Sequence, residues 1–450
     1  MESLDQILSV AVDYAWGLPL IILVVGGGLF LTTFSRLLPF QGIRHAFDLL
    51  RGKHVDKDAP GEISHLQTLS TALSSTIGTG NIGGVAIAIT QGGPGAVFWM
   101  WLAALVGMAT KFFSCTLAVM YRRQDSRGVV QGGPMYFIEV GLGRKARFLS
   151  IFFSVCGTIG CLAMFQANQV AEVLNETYQV NPWITGWVSV VAVAIVVLGG
   201  IQRIALVASR LVPSMCVLYF ISAIYVVLSH LPLVPVVLGQ IVHDAFTGTA
   251  ATGGALGIGF ISVVQTGIKR GSFSNEAGIG TAPMAHGASR TREPVREGLV
   301  AMLGPFIDTI VICSLTAFAI LVGSNWRLSN VRGASLTVES FESAMGPIGT
   351  LALVVVVVLF AFSTMFGYSY YGKKCFSYLF GAERGRLYEI FYLGMLLVGA
   401  VWKVDMVINL LDTSFAMMAL PNMIATLLLA PKVMVAARGY FSRYRIGLRS

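Results

Sequence analysis

The chain alternates between long apolar stretches and short connections that are polar, glycine-rich or basic. A helix that crosses the hydrocarbon core of a membrane needs about 20 mostly apolar residues, and eleven stretches approach or exceed that length. The predicted spans are 15–37, 67–90, 95–120, 148–174, 184–200, 204–229, 253–286, 297–323, 347–372, 386–402 and 405–430. Because the number of spans is odd, the two termini are predicted to lie on opposite sides of the membrane.

The positions of lysine and arginine indicate which side each connection faces. Of the 31 Lys and Arg residues, 25 lie in alternate connections and in the stretch after residue 430. The opposite face has three, which are Arg327, Arg332 and Lys403. Connections on the cytoplasmic side are enriched in these residues. We therefore predict an outside N-terminus, a cytoplasmic C-terminus and a basic cytoplasmic tail over 431–450.

Composition excludes a set of soluble domains. Hydrophobic residues make up 55% of the chain and charged residues 12%, against about 25% charged in soluble proteins. The net charge of +9 is explained by the basic connections, so we predict a lipid bilayer and no nucleic acid as partner. The chain has no metal-protease, nucleophile-elbow or P-loop pattern. We therefore expect neither an enzyme nor catalytic residues nor an organic cofactor.

Two of the spans are interrupted by glycine, hydroxyl and amide residues at mid-membrane depth. Residues 74–84 read SSTIGTGNIGG, and residues 269–280 read KRGSFSNEAGIG. Glycine lowers helix stability by about 1 kcal/mol relative to alanine, so both stretches are predicted to be unwound. Unwound backbone at this depth is tolerated where it is buried in protein or lines a cavity. The alternative is that these glycines only allow helices to pack closely.

The two breaks occupy corresponding places in two halves of the chain. When the first span is set aside, each break falls in the first span of a five-span half. Paired breaks of this kind mark the binding site of many secondary transporters. Freed N–H groups at the start of a half-helix attract an anion, and freed carbonyl groups attract a cation.

Longer motifs surround both breaks. They are GTGNI at 78–82, GGPGAVFWMW at 92–101, GGPM at 132–135, QAN at 166–168, FSNEAG at 273–278 and AP at 282–283. With these motifs the chain resembles, from about residue 15 to 430, the alanine or glycine:cation symporter family, also called sodium:alanine symporters. This family belongs to the amino acid–polyamine–cation superfamily.

The resemblance implies an all-α polytopic membrane protein of about 11 helices with the leucine-transporter-type 5+5 inverted repeat. We expect one transporter domain over 1–450, with an extra helix at about 15–37, repeat one at about 67–229 and repeat two at about 253–430. The implied activity is Na⁺-coupled import of small neutral amino acids, namely alanine, glycine and serine, by alternating access. The implied location is the cytoplasmic (inner) membrane of a bacterium or archaeon. The alternative is an H⁺-coupled transporter of another small neutral amino acid. The sequence predicts no oligomeric state.

The resemblance also implies the residues that bind the substrate. The backbone N–H groups of Thr79, Gly80 and Asn81 would bind the substrate carboxylate, and Phe273 and Ser274 would supply an apolar wall and carbonyl groups for its ammonium group. The remaining candidates are Asn275, Gln166, Asn168 and Tyr368. Many family members have tryptophan where this chain has Tyr368, so that position is expected to change the shape of the pocket. For Gln166 and Asn168 the alternative is a hydrogen bond between helices.

A sodium site is implied on the other side of the first break. By resemblance to the fold's shared site, hydroxyl groups of Ser363 and Thr364 would join carbonyl groups of Ser74, Ile77 and Phe360. A hard cation prefers oxygen ligands. The alternative is that these hydroxyls bond only to the preceding helical turn.

Two carboxylates lie at or near membrane depth and are functional candidates for that reason. Glu276 follows the second break, and we expect it to pair with Lys269 or Arg270 and brace the broken helix. Coupling to a proton or cation is the alternative for Glu276. The sequence assigns no role to Asp308.

Overall fold

The computed structural model describes residues 2–53, 58–125, 128–247, 259–323, 326 and 333–447, and most of them are helical. In the first half the helices are α1 (Glu2–Ala15), α2 (Leu18–Ile21), α3 (Gly27–Phe34), α4 (Leu38–Gln41), α5 (Ile43–Leu50), α6 (His65–Thr76), α7 (Val85–Gly92), α8 (Gly95–Met120), α9 (Pro134–Leu142), α10 (Arg147–Gly160), α11 (Met164–Tyr178), α12 (Pro182–Val197) and α13 (Gly200–Ser229). In the second half they are α14 (Val234–Thr247), α15 (Phe260–Asn275), α16 (Ala282–His286), α17 (Pro294–Ala301), α18 (Leu303–Pro305), α19 (Ser314–Gly323), α20 (Ala334–Met345), α21 (Pro347–Phe380), α22 (Gly385–Val401) and α23 (Val404–Gly447).

Shorter elements connect these helices. The π-helical segments are Ile22–Gly26, Gly80–Gly84 and Phe306–Cys313, and the 3₁₀ turns are Arg144–Ala146, Leu231–Leu233 and Ala382–Arg384. Two short antiparallel strands, β1 (Arg123–Gln124) and β2 (Val130–Gln131), pair within the connection before α9. The π segments continue the helices at whose ends they lie, and two of them carry candidate residues.

Six helices in the described residues are long and apolar enough to cross a membrane, and two further pairs qualify if each bent pair is one span. The bent pairs are Ile7–Ala15 with Leu18–Phe34, and His65–Thr76 with Gly80–Gly92. The other three predicted spans correspond to the shorter helices α12, α15 and α22, of 16 to 17 residues. Each of the eleven predicted spans therefore has a helical counterpart.

Several elements differ from the predicted spans. The span 148–174 is interrupted between α10 and α11, where Leu162 and Ala163 leave the helix. Helices α14 and α20 lie in connections for which the sequence predicted no helix. The last helix continues through residues predicted as a tail, because the basic residues after 430 do not stop the helical pattern. Part of the span 253–286, together with Arg327 and Arg332, lies outside the described residues.

Both breaks are present. The first span bends by 52° between His65–Thr76 and Gly80–Gly92. After α15 the chain turns through three residues with positive φ, namely Glu276 at 55°, Gly278 at 89° and Gly280 at 101°. Glycine adopts this conformation without a steric penalty, so the glycines allow the second break to form.

Close packing brings the second broken span against α8. A Cβ on Gly267 would lie 2.6 Å from Trp99 Cβ, and one on Gly271 would lie 3.1 Å from Met100 Cα. The extra N-terminal helix packs beside the last one, where Trp16 donates a hydrogen bond of 2.9 Å to the carbonyl of Asp412. The candidate residues are therefore held at the centre of a helical bundle.

Candidate functional site

The two breaks meet at Gly80. A Cβ on this residue would lie 3.4 Å from two ring carbons of Phe273 and 3.8 Å from Ser274 Cα. Thr79 is fully buried, and Phe273 is 5% exposed. The first half-helix therefore begins directly against the end of α15, and the fold brings together residues nearly 200 positions apart.

The start of this half-helix has unpaired donors. The first N–H groups of a helix have no acceptor within the helix. Among the described residues, Thr79 N–H and Gly80 N–H have no backbone acceptor, whereas Asn81 N–H donates to the carbonyl of Gly78 over 3.0 Å. Thr79 Oγ1 is also buried without a partner. Two of the three predicted N–H donors are thus available to an anion.

The side chain of Asn81 shapes the break. Its Oδ1 accepts from Gly78 N–H at 2.8 Å, and its Nδ2 donates to Asp308 Oδ1 at 2.7 Å. Asn275 acts similarly at the second break, where its Oδ1 accepts from Ala277 N–H at 2.9 Å and its Nδ2 donates to Thr309 Oγ1 at 3.0 Å. Both amides therefore fix the broken backbone and tie it to the π-helical segment Phe306–Cys313.

Aromatic rings enclose the junction of the two breaks. Ring centroids of Phe273 lie 5.7 Å from Phe165 and 5.5 Å from Phe415. The Tyr368 ring lies 6.1 Å from Phe415, and its hydroxyl donates to Glu276. The sequence identified Phe273 and Tyr368 but missed Phe165 and Phe415. An aromatic residue in an apolar span gives no signal of its own.

The two amide candidates on α11 differ in their contacts. Gln166 is 2% exposed, and its Oε1 has no partner. Gln166 lies one turn before Gln169. The Oε1 atom of Gln169 approaches Gly83 of the first broken span so closely that a Cβ on Gly83 would lie 2.7 Å from it. Asn168 instead donates to the carbonyls of Gly399 at 3.0 Å and Trp402 at 2.8 Å. Gln166 and Asn168 each keep an unpaired amide oxygen, but the two bonds donated by Asn168 favour a contact between helices.

Five predicted oxygen ligands converge between α6 and α21. Ser363 Oγ lies 3.1 Å from Ser74 O and 3.5 Å from Ile77 O. It also lies 3.0 Å from Phe360 O, which Thr364 Oγ1 approaches to 3.0 Å as well. The bonds to the preceding turn are therefore present, but they do not exclude the contacts to α6.

The carbonyl groups in this cluster outnumber the donors. A serine hydroxyl has one hydrogen, yet three carbonyl oxygens surround Ser363. The carbonyl of Ser74 lacks its helical donor because the helix ends at Thr76 and Gly78 N–H donates to Asn81 Oδ1 instead, and Asn81 N–H donates to the carbonyl of Gly78 rather than to that of Ile77. A surplus of buried oxygen acceptors is the arrangement that a hard cation requires.

The expected brace of Glu276 is wrong. Glu276 accepts hydrogen bonds from Thr281 Oγ1 and Tyr368 OH. Lys269 and Arg270 pair instead with Asp412 of α23, with Lys269 Nζ 3.0 Å from Asp412 Oδ2. The helix directs these two cations away from the break, because Glu276 lies beyond the end of α15 in a left-handed conformation.

Asp308 is the polar residue to which the sequence assigned no role. It is fully buried and contacts both breaks through Asn81 and Ser274. It lies in the π-helical segment Phe306–Cys313, a kind of segment that often occurs at functional sites. In the sequence, Asp308 is recognisable only as a carboxylate at membrane depth. That position makes it a candidate functional residue but does not identify the groups it contacts.

Comparisons with known proteins show the family to which the sequence is similar. The model of the sodium:alanine symporter family matches residues 1–449. A sodium/alanine symporter of Methanococcus maripaludis is 40% identical over 436 residues, covering 95% of each chain. A probable sodium/glutamine symporter of Bacillus subtilis is 34% identical over 450 residues, covering 99% of this chain and 92% of the relative.

Solved structures resemble the fold at low sequence identity. The transporter MhsT in complex with L-phenylalanine aligns with a TM-score of 0.58 at 14% identity, covering 84% of this chain and 98% of that one. A manganese transporter of Eremococcus coleocola aligns with a TM-score of 0.57 at 13% identity, covering 83% and 82%. The leucine-transporter-type fold is thereby confirmed.

Proposed function

Because the chain belongs to the sodium:alanine symporter family, we propose that it imports small neutral amino acids together with Na⁺ by alternating access. One observation carries this proposal, which is that both breaks meet at Gly80 beside buried polar atoms without partners. Such atoms cost free energy unless a ligand satisfies them. Alanine and glycine are the first candidates, and serine is a further one.

The substrate carboxylate would bind at the start of the half-helix after the first break. Thr79 N–H, Gly80 N–H and Thr79 Oγ1 supply three donors there. The N-terminus of a helix also carries a partial positive charge that attracts anions. No cationic side chain is then needed, and a zwitterion leaves no net charge in the site.

The other end of the substrate would face the second break. Carbonyl groups near Phe273 and Ser274 are suited to its ammonium group, and the unpaired Oε1 of Gln166 is a further acceptor. The rings of Phe273, Phe165 and Phe415 pack against one another at this junction, so we propose that only a short side chain fits beside them. This enclosure favours alanine and glycine over larger amino acids.

The coupling Na⁺ would bind at the five oxygens between α6 and α21. Two of the carbonyls, Ser74 O and Ile77 O, belong to the first broken span, so an ion there would stabilise the break in its present shape. The substrate needs the same break for its carboxylate. Binding of ion and binding of substrate would therefore favour one another.

The basic connections give the orientation of this transport. We propose a multi-pass protein of the cytoplasmic membrane with the N-terminus outside and the C-terminus in the cytoplasm. The asymmetry of 25 to three Lys and Arg residues supports this orientation. Import would then proceed down the inward Na⁺ gradient.

Uptake into proteoliposomes tests the proposal. An imposed Na⁺ gradient should drive accumulation of labelled alanine, and a pH gradient alone should not. Replacing both Ser363 and Thr364 by Ala should raise the Na⁺ concentration required, with less change at saturating Na⁺. Ser369→Ala is the matched control, because within the described part of the chain this buried hydroxyl of α21 bonds only to the carbonyl of Phe366. Uptake driven by H⁺ without Na⁺ would establish the H⁺-coupled alternative instead.

A further inference from the structure

A polar cavity of about 110 Å³ lies on the face that carries most of the basic connections. Its walls come from the connection before α6, from the hairpin of β1 and β2, from the junction of α12 and α13, and from α21 and α22. A single water needs at least about 10–15 Å³ of such a space, so the cavity can hold a ligand with about as many non-hydrogen atoms as alanine. The proposed transport assigns no binding role to the residues that line it.

Four charged side chains line the cavity, two of each sign. They are Glu62, Lys373, Lys374 and Glu389. Lys373 Nζ donates a hydrogen bond of 2.6 Å to Glu389 Oε1. Lys374 Nζ donates one of 2.6 Å to Gln131 Oε1. The lining therefore has no net charge, yet it presents both cationic and anionic groups.

Two polar atoms of the lining residues have no hydrogen-bond partner among the described residues. They are Glu62 Oε1 and the hydroxyl of Tyr370, a residue that is 6% exposed. The two side chains lie within electrostatic range of each other. Burial raises the pKa of the Glu62 carboxyl above its ordinary value, and the charge of Lys374 opposes this shift. A ligand that bonds to both atoms would recover the free energy that their burial costs.

The cationic side of the cavity also has donors to spare. An ammonium group has three N–H donors, and within the described part of the chain Lys373 uses one of them on Glu389. The Lys374 ammonium lies 5.1 Å from the centre of the Tyr370 ring. Positive charge and unused donors therefore lie beside the two unpaired oxygens.

The anionic side of the cavity is attached to both broken spans. Glu62 lies two residues before Ser64, the N-cap of α6. Its N–H donates to the carbonyl of Ala288, just after α16, at 2.8 Å, and Arg290 N–H donates to the carbonyl of Ile63 at 2.8 Å. The two lysines belong to α21 instead. A ligand that bridges the two sides would tie the ends of both broken spans to α21.

We infer that this cavity is a second binding site for a small neutral amino acid, through which the imported product inhibits its own import. The ligand ammonium group would bind Glu62 and Tyr370, and its carboxylate would bind Lys373. A zwitterion matches a lining with both signs and no net charge, whereas a simple ion would leave a buried charge uncompensated. In the proposed alternating access the broken spans move, so a ligand that ties them to α21 would slow transport. This inference rests on the proposed import and on the orientation that places the cavity in the cytoplasm, where the product accumulates.

Equilibrium binding of labelled alanine to the purified protein tests the site directly. The sodium cluster is not part of the cavity, so the unmodified protein should bind alanine without Na⁺, and Gly80→Val should retain this binding. In the Gly80→Val background, Glu62→Gln and Tyr370→Phe should each weaken it by about tenfold or more, because each removes a hydrogen bond to a charged group. Glu383→Gln, at an exposed carboxylate just before α22, is the matched control and should leave binding unchanged.

Uptake into right-side-out membrane vesicles measures the consequence for transport. Alanine trapped inside should slow the initial Na⁺-driven uptake of labelled alanine several-fold. Glu62→Gln and Tyr370→Phe should lose this inhibition while importing normally into empty vesicles, which also shows that they fold.

The inference fails if neither the unmodified protein nor Gly80→Val binds alanine without Na⁺. It also fails if Glu62→Gln and Tyr370→Phe both retain the binding, or both retain the inhibition by internal alanine. Na⁺-driven uptake into empty vesicles is measured in the same preparations and does not depend on the cavity. The proposed symport therefore stands or fails separately from this second site.

Discussion

Gly80→Val should abolish efficient alanine uptake while the protein still reaches the membrane. The ideal Cβ at this position already lies 3.4 Å from Cδ1 and from Cε1 of Phe273. Each valine methyl extends about 1.5 Å beyond Cβ, so the side chain must enter the space between the two breaks. That space is where we expect the substrate to bind.

The size of the effect follows from the contact distances. Alanine adds only the Cβ, which makes tight but tolerable contacts with the ring, so Gly80→Ala should lower the apparent affinity for alanine only modestly. Valine overpacks the junction, and overpacking costs about 1–3 kcal/mol. If this cost falls on the substrate-bound state, the apparent affinity drops by about 5–150-fold.

Labelled alanine uptake at equal amounts of protein in the membrane measures the effect. Gly84→Ala is the matched control, because it lies in the same π-helical segment and a Cβ there meets no atom within 4 Å. It should transport as the unmodified protein does. If Gly80→Val transports alanine with unchanged kinetics, the junction of the breaks is not the substrate site. A loss in Gly84→Ala equal to that in Gly80→Ala would show that the effect is not steric.

Three further outcomes are expected. Phe273→Ala should admit valine and leucine in competition assays, because one methylene group is worth about 1–3 kcal/mol in an apolar pocket, and an unchanged order of competitors would contradict this. A cysteine replacing the exposed Arg290 should react only with reagents in the cytoplasm and one replacing Lys403 only from outside, and the reverse pattern would refute the orientation. Asn168→Ala removes two hydrogen bonds of about 0.5–1.5 kcal/mol each, so it should lower the melting temperature in detergent without changing the apparent affinity for alanine. A changed affinity at unaltered stability would place Asn168 in the pocket.

The breaks could be predicted from the sequence because their cause is local. Glycine weakens a helix wherever it occurs, and three positive-φ residues in the second break include two glycines. The oxygen cluster around Ser363 was also predictable, but through resemblance, since its ligands come from two distant segments. The predicted ends of the spans were less reliable. Polar residues can continue a helix beyond its apolar stretch, as they do in α23.

The partners of the buried polar side chains could not be predicted. Glu276 lies six and seven residues from two cations, Arg270 and Lys269, and a continuous helix would keep the three side chains within two turns of one another. The break reverses the chain at Glu276, so its carboxylate faces Tyr368 while Arg270 faces Asp412. The partners of Asp308 are Asn81 and Ser274, which lie in distant segments of the chain and reach it only in the folded structure. Pairing across a break depends on tertiary structure, which residue spacing does not report.

Each broken span also carries a buried side chain that bonds to a carboxylate of a distant helix. His65 at the start of α6 bonds to the buried Glu297, which also accepts from His286 at 2.6 Å. In the second broken span, Arg270 near the end of α15 bonds to Asp412 of the last helix. In the proposed alternating access, movement of either broken span away from its carboxylate would break the corresponding bond. Charges that separate in this way regain water, which offsets much of the lost attraction. Buried contacts of this kind would therefore hold each broken span in place while adding little to the free energy of its movement.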